Sequence, residues 1–264
     1  MRWSSHWLRP LLGLVAALAL AGCAVEGMPA APQPTGAVRM TTEKDGRYLV
    51  LLGDPGFEPP ALERRELFGL ALEQRRNIAR LRPDALGAVA AGGEPDRQAR
   101  EDLALGSAVA KYTQSNAVVV ATRGQVIGVG AGQQSRIDAT DVACAKAERW
   151  LLARHPSALA EPGEGEKRYQ RDNRLRSAAL GLHRELVAGT ARGAELRAWV
   201  RERLQGRLAS DGFLPFADNV ERAAEAGVDW IVQPGGSVRD PAVVEAAARS
   251  GVGIVMSGVR LFHH

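Results

Sequence analysis

Four short segments hold most of the side chains in this chain that could bind or react: GAGQQSR (130–136), SDGFLPFADN (210–219), QPGGSVRD (233–240) and SGVRLFHH (257–264). Each combines Gly or Pro, which let a backbone turn sharply or approach a ligand, with amide, hydroxyl, guanidinium or imidazole groups. With Asn116, they offer donors suited to an anion or to a flat, hydrogen-bonding heterocycle. Each also has a plainer reading. Gly235 and Gly236 can serve a strand-to-helix turn, Asp218 can cap a helix, and Asn116 can end one. Arg136 and Arg239 can be solvated ends, and His263 and His264 a chain terminus. A set of such loops on one edge of a sheet is harder to explain by packing alone.

The stretch IGVGAGQQSR (127–136) spaces Gly128, Gly130 and Gly132 at alternate positions. This is not the dinucleotide fingerprint, whose third glycine comes three residues after the second, and no Gly-Lys-Ser/Thr of a phosphate loop follows. The expectation is that these glycines bring a strand end close to a ligand. Metal chemistry is not expected. Cys23 and Cys144 are far apart in sequence, and no His-x-x-x-His occurs among the five histidines.

The elements that would position these loops alternate between strand-like and helix-like. RYLVLL (47–52) reads as a strand. ALERRELFGLALEQRRN (61–77) has helical composition, but Gly69 interrupts it and its LFGL core could be extended. Residues 96–114 have helical spacing. NAVVVAT and QVIGVG read as a hairpin about Arg123-Gly124. Asp138 is placed as the cap of a helix through Cys144 and Leu151, and residues 157–207 as a charged helical insertion pinned by Trp199. Asp218 is placed as the cap of NVERAAEAG, before the strand VDWIVQ, the helix DPAVVEAAARSG and the strand VGIVMS. Repeated strand–helix–strand steps predict an α/β fold with helices packed on a sheet.

The bulk numbers agree with this and limit the partners. Of 264 residues, 45% are apolar and 24% charged, as in ordinary globular chains. The net charge of +4 comes from arginine, since Lys44, Lys111, Lys146 and Lys167 are the only lysines, and acidic residues are interspersed with the arginines. With five Phe and three Tyr there are few stacking platforms, so no nucleic-acid partner is expected. Residues 1–23 combine Arg2 and Arg9, an apolar run and LAGC, the parts of an export signal whose Cys23 would be lipidated. A Pro/Ala-rich tether would then extend to about residue 45. The competing reading is a misplaced start, with Met28 or Met40 the true one.

AKYTQSNAVVVATRGQVIGVGAGQQSRID, SDGFLPFADNVERAAEAGVDWIVQPGGSVRD and RLFHH, preceded by GRYLVLLGDPGFEPPALERRELFGLALEQRRN, resemble AICAR transformylase, the formyltransferase of purine synthesis, from Gly46 to His264. The resemblance is to the C-terminal part of the single-activity form. It implies a cytidine-deaminase-like layered α/β fold with a mixed sheet, without the deaminase zinc signature. It also implies a metal-free transfer of formyl from N10-formyltetrahydrofolate to the AICAR nucleotide, giving FAICAR, in the cytoplasm, at a site between two subunits. By motif, Asn116 and His264 would serve catalysis, while Arg136, Arg260, Phe213 and Arg239 would meet the nucleotide. Ile137, Pro215, Asp218 and Asn219 would line the folate pocket.

Two departures stand out. The family's Lys-His pair, which handles the proton, has no counterpart in the chain, so a homodimer or a separate chain would have to supply it. SDGFLPF, in place of the usual Ala-Phe-Phe, removes an aromatic from the expected folate wall. The competing class is a non-catalytic nucleotide- or folate-binding protein, including an envelope lipoprotein anchored through Cys23.

Overall fold

The computed structural model describes residues 39–43, 48–52, 56–160 and 165–262, with side-chain surroundings from residue 56 onward. The signal-like segment with Cys23 and the terminal His263 and His264 lie outside the described residues. No helix among the described residues is long and apolar enough to cross a membrane. The described residues fall into two units, divided between Ala61 and Leu62. In the first, β1 (Arg39–Glu43) and β2 (Tyr48–Leu52) form an antiparallel pair with Arg39 opposite Leu52.

The second unit runs β3 (Leu62–Leu67), β4 (Leu70–Arg75), β5 (Ala88–Ala91), α1 (Arg97–Lys111), β6 (Val118–Thr122), β7 (Gln125–Gly130), α2 (Arg136–Leu152) and α3 (Pro156–Leu159). It continues with α4 (Arg168–Val187), α5 (Ala191–Leu204), β8 (Gly206–Ser210), α6 (Asp218–Glu225), β9 (Val228–Gln233), α7 (Asp240–Ser250) and β10 (Gly253–Met256). Six strands form one mixed sheet in the order β5-β10-β9-β8-β6-β7, so the α/β expectation holds. β8, β9 and β10 are parallel, linked through α6 and α7, and the outer neighbours are antiparallel. Side chains alternate across a strand, and the core follows that rule. Val118, Val120, Leu208, Ile231 and Ile254 join the cluster built with α2 and α4 to α7, whereas Val119, Ala209, Val232 and Val255 face the layer that includes Leu103 and Ala110 of α1.

Several local readings change. Residues 62–75, left open between helix and strand, are extended: Phe68 (φ 52°) and Gly69 (φ 79°) make a two-residue turn with both φ positive, and Leu67 lies opposite Leu70. Leu67, Phe68, Leu70 and Leu72 are all exposed on this hairpin. Helix α2 starts before Asp138. Ser135 is its cap, accepting from the Asp138 amide at 3.2 Å and donating to Asp138 Oδ2 at 2.7 Å. Asp218 is not a cap either, because Ala217 already has helical φ and ψ; its carboxylate accepts from the amide of Asn219 at 2.7 Å. Strand β8 starts inside the interval read as a helical insertion. Gly-Arg-Leu-Ala-Ser has no apolar run, yet all five residues are buried. Arg207 is accommodated there by Asp229, at 3.0 Å.

Two glycines set the distance between β7 and α2. A Cβ on Gly128 would lie 2.1 Å from the Ala143 carbonyl oxygen, and one on Gly130 2.0 Å from that of Ala139. Strand and helix backbones therefore touch at Gly128 and Gly130, the crowding role that alternate glycines also allow. Gly132, at φ +63°, makes the turn that follows.

The helical insertion is attached through Glu148 of α2, which is buried. Its carboxylate accepts from both terminal nitrogens of Arg222 on α6, at 2.9 and 3.0 Å, and lies 2.9 Å from His183 Nε2 on α4. Burial opposes ionisation of Glu148, but the hydrogen bonds from His183 and Arg222 and the charge of Arg222 outweigh it and hold the carboxyl below its ordinary value.

Gly130→Ala should cost about 3 kcal/mol of unfolding free energy by denaturant titration, because the added methyl must push backbone apart. The depressed acidity of Glu148 gives stability that is complete above the unfolded carboxylate value of about 4.3 and is lost as pH falls through the lower folded value. Glu148→Gln should therefore destabilise at neutral pH by about 3 kcal/mol and flatten the decline in melting temperature between about pH 5 and 3.

Candidate functional site

Antiparallel pairing brings the candidate loops to one edge. Val118, which opens β6, pairs with Gly130 at the end of β7 and with Ser210 at the end of β8. The segment before β6 thus meets the loops that follow β7 and β8, where open α/β sheets take their ligands. Asp211, fully buried just beyond β8, joins these pieces. Its carboxylate accepts from the Ala117 amide at 3.2 Å and from Arg136 Nη1; its own amide donates to the Ala117 carbonyl at 3.1 Å, and its carbonyl accepts from the Leu261 amide at 2.9 Å. Arg136 Nη1 also reaches the Ala117 carbonyl, at 3.0 Å. One residue therefore holds the start of β6 and the first turn of α2 through its carboxylate, and the C-terminal strap (residues 257–262) through its backbone.

A cavity of about 310 Å³ opens beside this node. Among its walls are Asn116, Ser135, Arg136, Phe213, Pro215 and Arg260, with Gln134, Gly212 and Phe262 completing them. Phe213 is half-buried and Arg260 exposed, with its guanidinium 6.0 Å from the Phe213 ring centre. Asn116 Nδ2 donates to the Gln133 carbonyl at 2.9 Å, which fixes the side-chain amide at the cavity wall. The Arg136 guanidinium packs against the Gly212 backbone, where a Cβ would lie 2.6 Å from Nη2.

Other expected residues stand further back. Ile137 is half-buried on the first turn of α2. Asp218 is exposed, while Asn219 is buried, its Oδ1 accepting from Thr140 Oγ1 at 2.9 Å, so that α6 is tied to α2. Arg239 sits over the Phe216 ring at 4.9 Å and is not part of the cavity wall, so it does not converge with Asn116 and Arg260. His264 lies outside the described residues. Leu214, where an aromatic of the folate wall was expected, is fully buried in the core. Of the two departures from Ala-Phe-Phe, Leu214 thus sits in the core, while Gly212 lines the cavity. Asp211 was missed, although an acid next to Gly in SDGF, in a chain with a motif arginine at 136, is a signal that could have found it.

Among the described residues, no histidine, lysine or carboxylate lines the cavity. His155 Nδ1 accepts from the Ser157 amide at 3.1 Å, and its ring lies edge-on to Trp199 at 4.7 Å; burial, with Arg192 and Arg203 nearby, keeps it below its ordinary pKa. His183 is engaged with Glu148. Burial pushes the Cys144 thiol up to about 12, so it is no nucleophile at neutral pH. No group of His, Cys, Asp and Glu among the described residues could hold a metal ion. The cavity offers donors, a cation and an aromatic face, which is a binding chemistry.

Residues 12–146 match the family model described as AICARFT/IMPCHase bienzyme. The chain is 36% identical over 213 residues to the bifunctional purine biosynthesis protein PurH of Roseobacter denitrificans, covering 81% of this chain and 32% of that protein. It is 35% identical over 223 residues to PurH of Paracoccus denitrificans and 32% identical over 222 residues to PurH of a Ruegeria species, in each case covering 84% of this chain and 34% of the relative. The chain thus spans about a third of the length of these relatives.

The two cavity arginines should behave differently on truncation. Arg136→Ala strands the buried Asp211 carboxylate and should cost about 3–5 kcal/mol in denaturant unfolding. Arg260→Ala, at an exposed position, should stay within about 0.5 kcal/mol of the parent.

Proposed function

The chain belongs to the AICARFT/IMPCHase bienzyme family, and on that premise we propose that it carries the nucleotide- and folate-binding part of a purine-biosynthetic formyltransferase. The reaction moves formyl from N10-formyltetrahydrofolate to the amine of AICAR. The observation that carries this reading is the cavity at the strand ends, where Asn116, Phe213 and Arg260 come together without a proton-transfer group. Arg260 is the exposed cation for the nucleotide phosphate, and the Phe213 face takes a planar ring. Asn116 has two amide hydrogens; one is held by Gln133, which leaves the other for the oxyanion that develops as the amine adds to the formyl carbon. Pro215 and Ile137 are assigned to the folate side, and Asp218 and Asn219 set its back wall through α6. His264 is assigned a supporting role next to a base that arrives from another segment.

Attack by a weakly nucleophilic aromatic amine requires removal of its proton. Because no base lines the cavity among the described residues, and no Lys-His occurs in the sequence, this chain binds by itself and turns over only with the missing pair supplied, by a second copy or a separate polypeptide. The same observation supports a second reading, a binding protein without catalysis, and the two differ in one experiment.

Calorimetry of the full chain with AICAR should show binding that Arg260→Ala weakens at least tenfold. Tetrahydrofolate release with AICAR and formyl-folate should be absent for the chain alone and appear on adding a Lys-His-containing family segment. Undetectable nucleotide binding at about millimolar concentration would sink the proposal. Binding without turnover even after addition would leave the non-catalytic reading.

A further inference from the structure

The C-terminal strap separates two cavities. Arg260 and Phe262 line the one described above, while Leu261 between them is buried on the opposite side, packed with Ala110 and Val119, and lines a second cavity of about 400 Å³. That volume is within the range of small-molecule sites. The second cavity lies between the end of α1 and the segment 79–83, and its wall carries three cations, Arg80, Arg82 and Lys111.

Lys111 is the unusual member. It is only 7% exposed, yet its ammonium donates to a backbone carbonyl, that of Ala79 at 2.9 Å, and pairs with no carboxylate among the described residues. Pinning one carbonyl uses one of three N–H donors and does not balance the charge; the Tyr112 ring, its centre 5.3 Å from the ammonium, adds a cation–π contact but no negative charge. Buried charges are ordinarily paired, because an uncompensated one is costly. Arg80, exposed on the same wall, makes no ion pair among the described residues, whereas Arg82 is held by Asp84 at 2.7 Å. The remaining wall is largely apolar, through Leu81 and Leu261 in particular.

We propose that this cavity is a second ligand site, distinct from the nucleotide cavity, that takes a compact organic carboxylate with an apolar or aromatic body. Lys111 and Arg80 meet the carboxylate, and Leu81 and Leu261 cover the body. Charge balance for the buried ammonium and burial of the apolar body act together, so an anion without such a body binds less well. A ligand here touches Leu261, the residue between Arg260 and Phe262, and so contacts the back of the strap that lines the first cavity.

The test is calorimetric titration of the full chain with sodium benzoate and, in parallel, with inorganic phosphate. Benzoate should bind with a dissociation constant of about 1 mM or tighter and phosphate at least tenfold more weakly. Lys111→Met should weaken benzoate at least tenfold, Arg80→Gln severalfold, and Arg260→Ala less than twofold. Because Lys111→Met removes a buried hydrogen bond and can impair folding, the exposed Arg80→Gln gives an independent decision. The proposal is overturned if benzoate produces no saturable heat, if phosphate binds as well as benzoate, if Arg80→Gln leaves benzoate unchanged, or if Arg260→Ala abolishes its binding, which would place benzoate in the first cavity.

Discussion

The contact between Arg136 and Asp211 is the interaction on which the candidate site depends. Asp211 is fully buried and its carboxylate receives Arg136 and the Ala117 amide, while its backbone binds Ala117 and Leu261. Four segments far apart in sequence thereby share one anchor, and the cavity is the space left beside it. A buried ion pair contributes little net stability against an apolar alternative, but losing one partner is severe. Its value in this fold is geometric. It sets where the first turn of α2 and the strap lie relative to β8, and therefore how far apart Asn116, Phe213 and Arg260 stand.

The same helix repeats this arrangement along its length. Thr140 donates to Asn219, Asp141 accepts from Arg222 at 2.7 Å, and Glu148 collects both Arg222 and His183. These contacts couple α2 to α6 and then to the insertion, so the insertion, which carries none of the cavity lining, bears on the orientation of the helix that does. An apolar interface could slide by small amounts; paired polar groups have one preferred register.

Much of this was legible in the sequence because it rests on local patterns. The hairpin about Arg123-Gly124, the helix within 96–114, and the β9–α7–β10 run follow from apolar periodicity, glycine turns and Pro241. The convergence of the loop after β7, the loop after β8 and the C-terminal strap was readable from their composition. What was not legible depends on tertiary context. β8 has no strand pattern, since its burial comes from neighbours on both sides and Arg207 is accommodated by Asp229 and by the Gln205 and Gly206 carbonyls. The hairpin at 62–75 has helix-forming residues, and a two-residue turn overrides them. Arg136 reads as a ligand-facing cation, and its tie to the buried Asp211 behind the cavity wall was not readable; Arg239 reads as a convergent one until it is found over Phe216.

The backbone contact at Gly128 and Gly130 has a consequence for how this chain can diverge. Where two elements meet through side chains, drift can be absorbed by trading a larger residue for a smaller one across the interface. Here the partners are the carbonyl oxygens of Ala139 and Ala143, which every amino acid carries, so no compensating exchange on the helix exists. A lineage that lost either glycine would have to lift the helix, and Arg136 and Ser135 at its amino end would be carried along. Ligand preference in this fold can therefore be altered at two positions that have no side chain and lie outside the cavity wall.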